Sequence, residues 1–533
     1  MKDNTCRKAL LWLLLGAALT ALTLIFPQIG FLEWFTMIPL MIGVYRLCDN
    51  SACTLRKAYG YGFLTVYVFY FFIYHWFVNL YPLDFVDLDK FSSAVVVAAG
   101  WLGLPILQAA VGGLIFVVFR LMAKSLMFER MPLLRPFAFA SLWVIFEWSS
   151  TIGWTGVPWG RLALGQINML PMLQSASLFG SYFVTWLLVA VNGLLAYLLL
   201  YRTRQVLCGS VAAVLFCSNL LYGSLSMLLN KNANENMMRV AVVQGNVNSH
   251  DKWGDEAWRK TREAYGELTR RAAEDGAALV VWPETALPYD LSWENEPRQF
   301  VCNLARECNV TLIVGALYYG EEDYNALFLV EPDGSFREEF YAKQHLVPFG
   351  EYVPMRDLIM TLIPPLANLS ALDGDLAAGS DSALFETQWG ALGSLICFDS
   401  IYEELTLDSV RDGAELLLIS SNDSWFYDSA AVYQHLAQAQ LRAIESGRDI
   451  ARAANTGISA VITSKGELTV KIEPLTDGYR VADVEWRETP TLYTLIGNWF
   501  VYLSILFVAV TLAVGIYCKH RDGRPRFLRA IQG

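Results

Sequence analysis

The sequence predicts a membrane protein in which a multi-pass α-helical domain with eight transmembrane helices carries an extracytoplasmic α/β domain. Composition supports this division, because 55% of the 533 residues are hydrophobic and only 17% are charged, against about 25% charged residues in typical soluble domains. Long apolar runs lie before about residue 230 and after about residue 495. We therefore predict seven transmembrane helices in 1–230, a catalytic domain in 231–490, and an eighth helix with a basic tail in 491–533.

A membrane hydrocarbon core about 30 Å thick requires about 20 apolar residues in a helix. Glu33 and Glu147 fall near the ends of such segments, where we expect their carboxylates to reach water rather than to line a functional cavity. Eight segments meet the length requirement, at 9–26, 29–46, 58–80, 93–121, 135–151, 173–201, 205–229 and 495–518.

The distribution of cations predicts the orientation of the chain. Basic residues precede the first predicted span and flank every second connection after it, and a basic cluster follows the last span. The connection after the third span is instead acidic, with Asp84, Asp87 and Asp89. Because Lys and Arg accumulate on the cytoplasmic side, both termini are expected in the cytoplasm. The soluble domain is then expected in the periplasm, with the helices in a bacterial inner membrane.

Charge and cysteine spacing exclude several classes of function. The net charge is −11, and no basic patch with interleaved aromatic residues occurs in the soluble part, so nucleic-acid binding is not expected. Nine cysteines include no CxxC pair, and no His, Cys, Asp or Glu set has metal-ligand spacing. We therefore predict no metal and no cofactor. Most of the cysteines lie in or beside apolar runs, whereas Cys397 follows a short apolar strand of the soluble part.

The soluble part alternates predicted strands with predicted helices and ends in a hairpin, which is typical of an α/β domain. Predicted helices cover 255–275, 297–308, 400–412 and 432–446. Predicted strands cover 239–247, 278–282, 311–318, 326–330, 336–341, 391–396, 416–420, 458–463 and 468–472.

Three reactive residue types follow three of these strands, where loops of α/β sheets carry functional groups. Glu284 follows one strand, Lys343 a second and Cys397 a third. A thiolate is a nucleophile, and a nearby cation lowers the pKa of a thiol. Glu284 could serve as general base and acid, and Lys343 could stabilise an oxyanion together with a backbone N–H after the cysteine. Taken singly, each residue also has a structural explanation, as a core cysteine, a helix cap or a solvated lysine.

The three strings together resemble the nitrilase superfamily of carbon–nitrogen hydrolases. They read Trp282-Pro283-Glu284, then Lys343 to Glu351, then Cys397-Phe398-Asp399. The resemblance implies an αββα sandwich and a catalytic triad of Glu284, Lys343 and Cys397. It also implies that Glu351 is a second glutamate that supports the lysine.

Seven predicted spans before such a domain and one after it resemble the apolipoprotein N-acyltransferase family. Strings at 324–326, 343–354, 422–426 and 452–457 are also similar to that family. Phe398 and Asp399 stand where this family commonly has Tyr and Glu. The resemblance implies supporting roles around the triad for Trp282, Glu351, Phe398, Asp399, Asn422 and Trp425.

The reaction implied by this resemblance has two steps. Cys397 takes a fatty acyl chain from a phospholipid as a thioester, and the α-amine of the N-terminal diacylglyceryl-cysteine of an apolipoprotein then accepts it. The implied partners are a phospholipid acyl donor, an apolipoprotein acceptor and the membrane lipid. Such an enzyme must keep water away from the thioester. The apolar run 358–369 is too short to span a bilayer and contains Pro364 and Pro365. We interpret it as a membrane-dipping lid rather than as a helix of the domain core.

Two other functions fit parts of the sequence. A membrane-tethered amidase or nitrilase acting on a small periplasmic substrate would keep the triad, although one span would be enough to anchor it. A non-enzymatic scaffold with a decayed domain is less consistent with a chain in which all three triad positions are filled.

Overall fold

The computed structural model describes residues 2–83, 88–123, 125–153, 155–201, 204–229, 237–247, 255–362 and 375–522. They form two compact units. The first contains Met1–His75, Ala99–Leu228 and Asn498–Gly533, and the second contains Trp76–Ala98 and Leu229–Gly497.

The described residues before 230 form helices joined by turns and short loops. Short 3₁₀ segments at Pro27–Leu32 and Tyr74–Leu80 extend two of its helices. In chain order the helices are α1 (Lys2–Ile25), α2 (Glu33–Thr36), α3 (Ile38–Asp49), α4 (Leu55–Ile73), α5 (Lys90–Ala123), α6 (Leu126–Arg130), α7 (Leu134–Ser149), α8 (Leu170–Leu173), α9 (Ala176–Phe179), α10 (Ser181–Leu200) and α11 (Gln205–Leu229).

Six helical segments among the described residues are long and apolar enough to cross a bilayer, and they coincide with six of the predicted spans. They are Cys6–Ile25, Pro27–Asp49, Leu55–Leu80, Lys90–Ala123, Ser181–Leu200 and Gln205–Leu229.

Three predicted spans, one of them among these six, differ from the structure in length. The predicted span 173–201 begins later, at Ser181, because Gly180 at φ +76° separates α10 from the short helix α9. The predicted span 135–151 is α7, which has 16 residues and is therefore about 24 Å long. The predicted span 495–518 is a helix at Trp499–Asp522, whose apolar portion is Trp499–Gly515.

The prediction that Glu33 and Glu147 reach water is wrong. Glu33 is 0% exposed and Glu147 is 3% exposed. Gln166 donates to Glu33 at 2.7 Å, and Thr185 donates to Glu147 at 2.8 Å. Burial requires such partners for a carboxyl group, and the sequence around each glutamate does not reveal them because they lie far along the chain.

The described residues of Leu229–Gly497 contain twelve strands and six helices, and one more described helix follows them. The helices are α12 (Asp255–Glu274), α13 (Glu296–Cys308), α14 (Arg356–Leu362), α15 (Glu403–Arg411), α16 (Ala430–Ser446), α17 (Leu492–Ile496) and α18 (Trp499–Asp522). The strands are β1 (Met237–Gln244), β2 (Leu279–Val281), β3 (Thr311–Tyr319), β4 (Asp323–Val330), β5 (Phe336–Ala342), β6 (Phe385–Thr387), β7 (Gly390–Ile396), β8 (Leu416–Ser421), β9 (Ile450–Ala454), β10 (Ser459–Ile462), β11 (Leu468–Ile472) and β12 (Gly478–Glu485).

The strands form two six-stranded sheets, in the orders β12-β1-β2-β3-β4-β5 and β11-β10-β9-β8-β7-β6. In the first sheet β1, β2 and β3 run parallel to one another, whereas β12, β4 and β5 are each antiparallel to their neighbours. In the second sheet β7, β8 and β9 run parallel, whereas β6, β10 and β11 are each antiparallel to their neighbours. Parallel strands need both faces covered. Their residues are accordingly almost entirely buried, and all six residues of β8 are buried.

Three apolar layers show that the domain is an αββα sandwich, as predicted. Side chains such as Val242 of the first sheet and Leu418 of the second fill the space between the sheets. The other face of the first sheet packs against α12 and α13, and that of the second packs against α15 and α16. Strands β6, β9 and β12 were not predicted, because β6 is only three residues long and β9 and β12 contain charged residues within the strand.

Candidate active site

The three predicted reactive residues all follow strands in the structure, and both sheets contribute to them. Glu284 lies on the loop after β2 and Lys343 follows β5, in the first sheet, whereas Cys397 follows β7 in the second. The backbone N–H of Lys343 donates to the carbonyl of Asn325 on β4 at 2.9 Å. Two facing sheets of one sandwich thus supply the three groups.

Cys397 has a backbone conformation that a non-glycine residue rarely adopts. Its φ is +50°, in the left-handed region, and Thr285 beside Glu284 has φ +43°. Such conformations cost about 1–3 kcal/mol and persist where the surroundings hold them. Around Cys397, the carboxylate of Asp399 accepts the N–H of Ile396 at 3.0 Å, and Ser400 Oγ donates to the Cys397 carbonyl at 2.7 Å.

Lys343 is buried between two carboxylates. Its Nζ donates to Glu284 Oε1 at 2.8 Å and to Glu351 Oε1 at 2.9 Å, and its side chain is 1% exposed. Asn325 Nδ2 donates to the same two oxygens, at 2.7 Å and 3.0 Å. Burial alone would lower the pKa of Lys343, but Glu284 and Glu351 outweigh it and hold that pKa well above its ordinary value. Lys343 is therefore an ammonium ion.

The thiol of Cys397 does not behave as the sequence suggested. Burial raises the pKa of Cys397, and the charge of Glu284 raises it further. Lys343 acts in the opposite direction without overcoming the other two effects. Lys343 thus acts on the pKa of Cys397 in the expected direction, but burial has the larger effect and the pKa is raised overall.

Asp399 connects the loop of Lys343 to the turn of Cys397. Its carboxylate accepts the backbone N–H groups of Gln344 at 3.2 Å and His345 at 2.7 Å, and the hydroxyl of Tyr341 at 2.9 Å. Together with the bond from Ile396, these contacts tie the two loops to one side chain. Burial raises the pKa of Asp399 to about 6.

The other residues that the resemblance singled out are Trp282, Phe398, Asn422 and Trp425, and they differ in burial and in contacts. Trp282 is fully buried, packs on Tyr265 with ring centroids 4.8 Å apart, and donates to Thr269 at 3.0 Å. Phe398 is half-buried and packs edge-on against Tyr402 at 5.4 Å. Asn422 accepts from Ser424 and from Asn455, and Trp425 is half-buried in the 3₁₀ turn Ser424–Phe426.

The structure also gathers residues that the sequence analysis did not single out. Asp423 and His435 have atoms within 4.8 Å of each other and of Cys397 Sγ, and Arg452 Nη2 pairs with Asp423 at 2.8 Å. Asp423 and Arg452 belong to the strings 422–426 and 452–457, so the signal was present without a stated role. We do not assign a metal centre here, because the guanidinium of Arg452 already neutralises the only carboxylate of the set.

A half-buried thiol, a buried ammonium and a carboxylate on strand ends of an αββα sandwich define a carbon–nitrogen hydrolase type of catalytic domain. Residues 239–491 match the family model described as carbon-nitrogen hydrolase. Residues 16–194 match the model described as the apolipoprotein N-acyltransferase N-terminal domain.

Similar proteins extend over almost the whole chain. The apolipoprotein N-acyltransferase of Gloeobacter violaceus is 33% identical over 512 residues, which cover 95% of this chain and 94% of that protein. The apolipoprotein N-acyltransferase of Geobacter metallireducens is 30% identical, and the match covers 97% of this chain and 97% of that protein. That of Allorhizobium ampelinum is also 30% identical, and the match covers 96% of this chain and 97% of that protein. The chain belongs to the apolipoprotein N-acyltransferase family, and it is an acyltransferase of the membrane.

Proposed function

We propose that this enzyme transfers a fatty acyl chain from a phospholipid to the α-amine of the N-terminal diacylglyceryl-cysteine of apolipoproteins. The observation that carries the mechanism is the ammonium of Lys343, buried between Glu284 and Glu351 and close enough to Cys397 to act on its thiol. This arrangement suits covalent acyl transfer through a thioester.

In the first step, Glu284 takes the proton of the Cys397 thiol while the sulfur attacks the ester carbonyl carbon of the phospholipid. The C–O bond of the ester breaks, and the departing lysophospholipid oxygen takes the proton from Glu284. The products are an acyl thioester on Cys397 and a lysophospholipid. The raised pKa of the Cys397 thiol makes a base necessary for this step.

In the second step, the amine of the apolipoprotein attacks the thioester carbon. Glu284 takes a proton from the attacking nitrogen and returns one to the departing sulfur, so an amide forms and the free thiol is restored. A thioester is more reactive toward amines than the oxygen ester from which it came.

Lys343 supplies the positive charge for the oxyanion that forms in both steps. An ammonium has three N–H donors, and in the described part of the chain two of them are directed at Glu284 and Glu351. The third donor and the backbone N–H of Phe398 would bind the oxyanion. Glu351 and Asn325 hold the ammonium and Glu284 in place for this role.

The membrane arrangement is part of the proposal. In addition to the six apolar segments, α7 and α18 would cross the bilayer, for a total of eight transmembrane helices. The alternation of basic connections then puts both termini in the cytoplasm and the catalytic domain in the periplasm, at a bacterial inner membrane. The corresponding domains are 1–230, 231–490 and 491–533.

We further propose that the stretch 358–369 guides acyl chains to Cys397 and shields the thioester from water. The described portion of it belongs to α14, where Leu358 is 50% exposed and the adjacent Met355 is 53% exposed. Exposed large apolar side chains on a short helix are suited to contact with lipid. Pro364, Pro365 and the rest of the stretch lie outside the described residues.

The test is intact-protein mass spectrometry of the purified enzyme after incubation with phospholipid alone. We expect an adduct of fatty-acyl mass that hydroxylamine removes and that Cys397→Ala lacks. Absence of the adduct from folded protein would contradict the thioester and favour a tethered amidase acting on a small substrate.

A further inference from the structure

The short helix α17, Leu492–Ile496, has an exposed face that consists only of large aliphatic side chains. Leu492 is 41% exposed, Leu495 is 63% exposed and Ile496 is 53% exposed. Residues three and four positions apart lie on the same side of a helix, so these three side chains form one surface. Exposed apolar surfaces of this kind mark contacts with lipid or with another protein.

The opposite side of α17 is fixed to the helices that cover the second sheet. Tyr493 and Thr494 are fully buried. Arg411, the last residue of α15, donates from Nε to the Thr494 carbonyl at 2.8 Å. The Thr491 hydroxyl donates to the carbonyl of Glu445 on α16 at 2.6 Å and caps the helix by accepting the N–H of Thr494 at 3.0 Å. The aliphatic surface is therefore held outward by contacts on the other side of the helix.

Chain continuity keeps this surface close to the start of α18. Gly497, at φ +73°, ends α17, so α18 begins as a separate helix at Trp499. Three residues span at most about 11 Å, and Ile496 therefore lies within that distance of Trp499. The apolar portion of α18 is Trp499–Gly515, and tryptophan is enriched where a helix enters a bilayer.

The charged residues of this region separate a surface suited to water from one suited to lipid. The exposed residues of α15 are Glu404, Asp408 and Arg411, all of which are charged. No charged residue occurs in the sequence from 489 to 518, which contains α17 and the apolar portion of α18. The neighbouring helix is thus suited to water, whereas α17 has the composition of the segment that follows it.

We propose that Leu492, Leu495 and Ile496 lie in the membrane–water interface and anchor the helical layer of the second sheet to the bilayer surface. A bilayer is the partner that chain continuity with α18 requires, because the aliphatic surface cannot be farther from Trp499 than the chain allows. The inference rests on the proposed crossing of the bilayer by α18.

The anchor is connected to the nucleophile through α16. Thr491 bonds to Glu445 near the end of α16, and His435 on the same helix has Nε2 at 3.2 Å from the Cys397 carbonyl oxygen. One helix therefore joins the lipid-contacting segment to the turn that carries the thiol. Contact of α17 with lipid thus fixes the position of Cys397 relative to the bilayer that supplies its acyl chains.

Photocrosslinking tests the contact directly. We would place p-benzoylphenylalanine at Leu495 of the full-length enzyme, reconstitute the enzyme in phospholipid vesicles, and irradiate it. We expect the peptide that contains position 495 to gain the mass of a phospholipid. The same probe at Leu506, which is 59% exposed on α18, is the positive control. Tyr319, which is 46% exposed and lies beside Glu321 and Glu322, is the control for a surface in water.

The controls separate this inference from the proposal on which it rests. Lipid adducts at Leu506 without adducts at Leu495 would overturn the anchor and leave the crossing of α18 intact. Absence of lipid adducts at both positions would contradict the crossing as well. A crosslink from Leu495 to protein would assign the aliphatic surface to a protein partner and would also overturn the inference.

The effect on catalysis can be measured with Leu495→Asp. We expect thioester formation from vesicle phospholipid to fall about tenfold, because the affinity of an interfacial helix for lipid depends on the apolar area that it buries. Thioester formation from a monomeric short-chain phospholipid in detergent should be unchanged, since no bilayer orients the domain there. Tyr319→Asp is the matched control, and Leu495→Ser replaces the Asp variant if the latter does not fold. Equal losses with both donors, or no loss with vesicles, would contradict the anchoring role.

Discussion

Lys343 donates to Glu284 at 2.8 Å although 59 residues separate them in the chain, and neither side chain is more than 6% exposed. In the proposed mechanism this pair joins the charge that would stabilise an oxyanion to the base that would take the proton of Cys397. Because both groups are buried, removing either partner would leave the other without its ion pair in the interior.

Removing the positive charge of Lys343 should damage both chemistry and stability. Lys343→Met leaves Glu284 and Glu351 buried without their cation, which typically costs about 3–5 kcal/mol. We expect the rate of thioester formation to fall at least about 100-fold and the thermal unfolding temperature to fall as well. Intact-protein mass spectrometry and a thermal melt in detergent measure the two effects. Wild-type rates of thioester formation in a folded Lys343→Met enzyme would exclude the role proposed for the lysine.

Replacing Glu284 by Gln removes the proposed base with little change in the shape of the side chain. The amide of Gln can still accept from Lys343, so we expect a folded protein. Loss of general acid–base catalysis typically costs about 10²–10⁴-fold in rate, and lysophospholipid release from the variant should fall by that factor. Glu338→Gln, on the exposed end of β5 and paired with Arg298, is a matched control. Equal rates for Glu284→Gln and the control would identify some other group as the base.

The raised pKa of Asp399 lets us predict how this carboxyl group makes the free energy of unfolding depend on pH. Its pKa is about 6 in the folded protein and 3.8 ordinarily, so the folded state binds more protons between those values. The free energy of unfolding therefore decreases, as far as this group contributes, when the pH rises from about 4 to about 6. Asp399→Asn cannot titrate and lacks this slope.

The comparison of Asp399→Asn with the wild type at several pH values isolates that contribution. Asn places an NH₂ where Asp399 accepts from Ile396 or from His345, so the variant should be less stable at every pH. The gap in free energy of unfolding should narrow as the pH rises from 4 to 6. Denaturant titrations of the two proteins measure this difference in free energy of unfolding. A difference that stayed constant or widened between pH 4 and pH 6 would mean that Asp399 has no raised pKa.

A charge at Leu358 should affect lipid delivery and leave the thiol chemistry intact. Leu358 is half exposed on α14, so Leu358→Asp should fold. We expect thioester formation from phospholipid vesicles to fall about tenfold or more, since a carboxylate in contact with the bilayer is costly. Alkylation of Cys397 by water-soluble iodoacetamide should be unchanged. Thr361 is a neighbouring exposed residue on the same helix, so Thr361→Asp is the control. It adds the same charge without removing an apolar side chain, and thioester formation should fall less in this variant than in Leu358→Asp. Unchanged thioester formation in Leu358→Asp would argue against a lid at this helix.

Local patterns in the sequence were enough to predict most of the elements that carry the site. Apolar runs of about 20 residues predicted the six long apolar segments, because the thickness of a bilayer sets their length. Alternating strands and helices predicted the sandwich, and strand ends marked Glu284, Lys343 and Cys397, because each of these features depends on residues adjacent in the chain.

Only the tertiary structure determined the burial of the ionisable groups and the pKa of Cys397. The cation beside Cys397 suggested a lowered pKa, but burial has the larger effect and raises it, and burial depends on both sheets packing together. Glu33 and Glu147 are buried for the same reason. Asp423, His435 and Arg452 come from a loop, a helix and a strand up to 29 residues apart, so no local spacing reveals that Asp423 and Arg452 cluster with His435 against the Cys397 carbonyl. The sequence by itself determined which chemical groups are present and on which elements, whereas their ionisation was decided by long-range packing, because desolvation and charge interactions depend on distance in space.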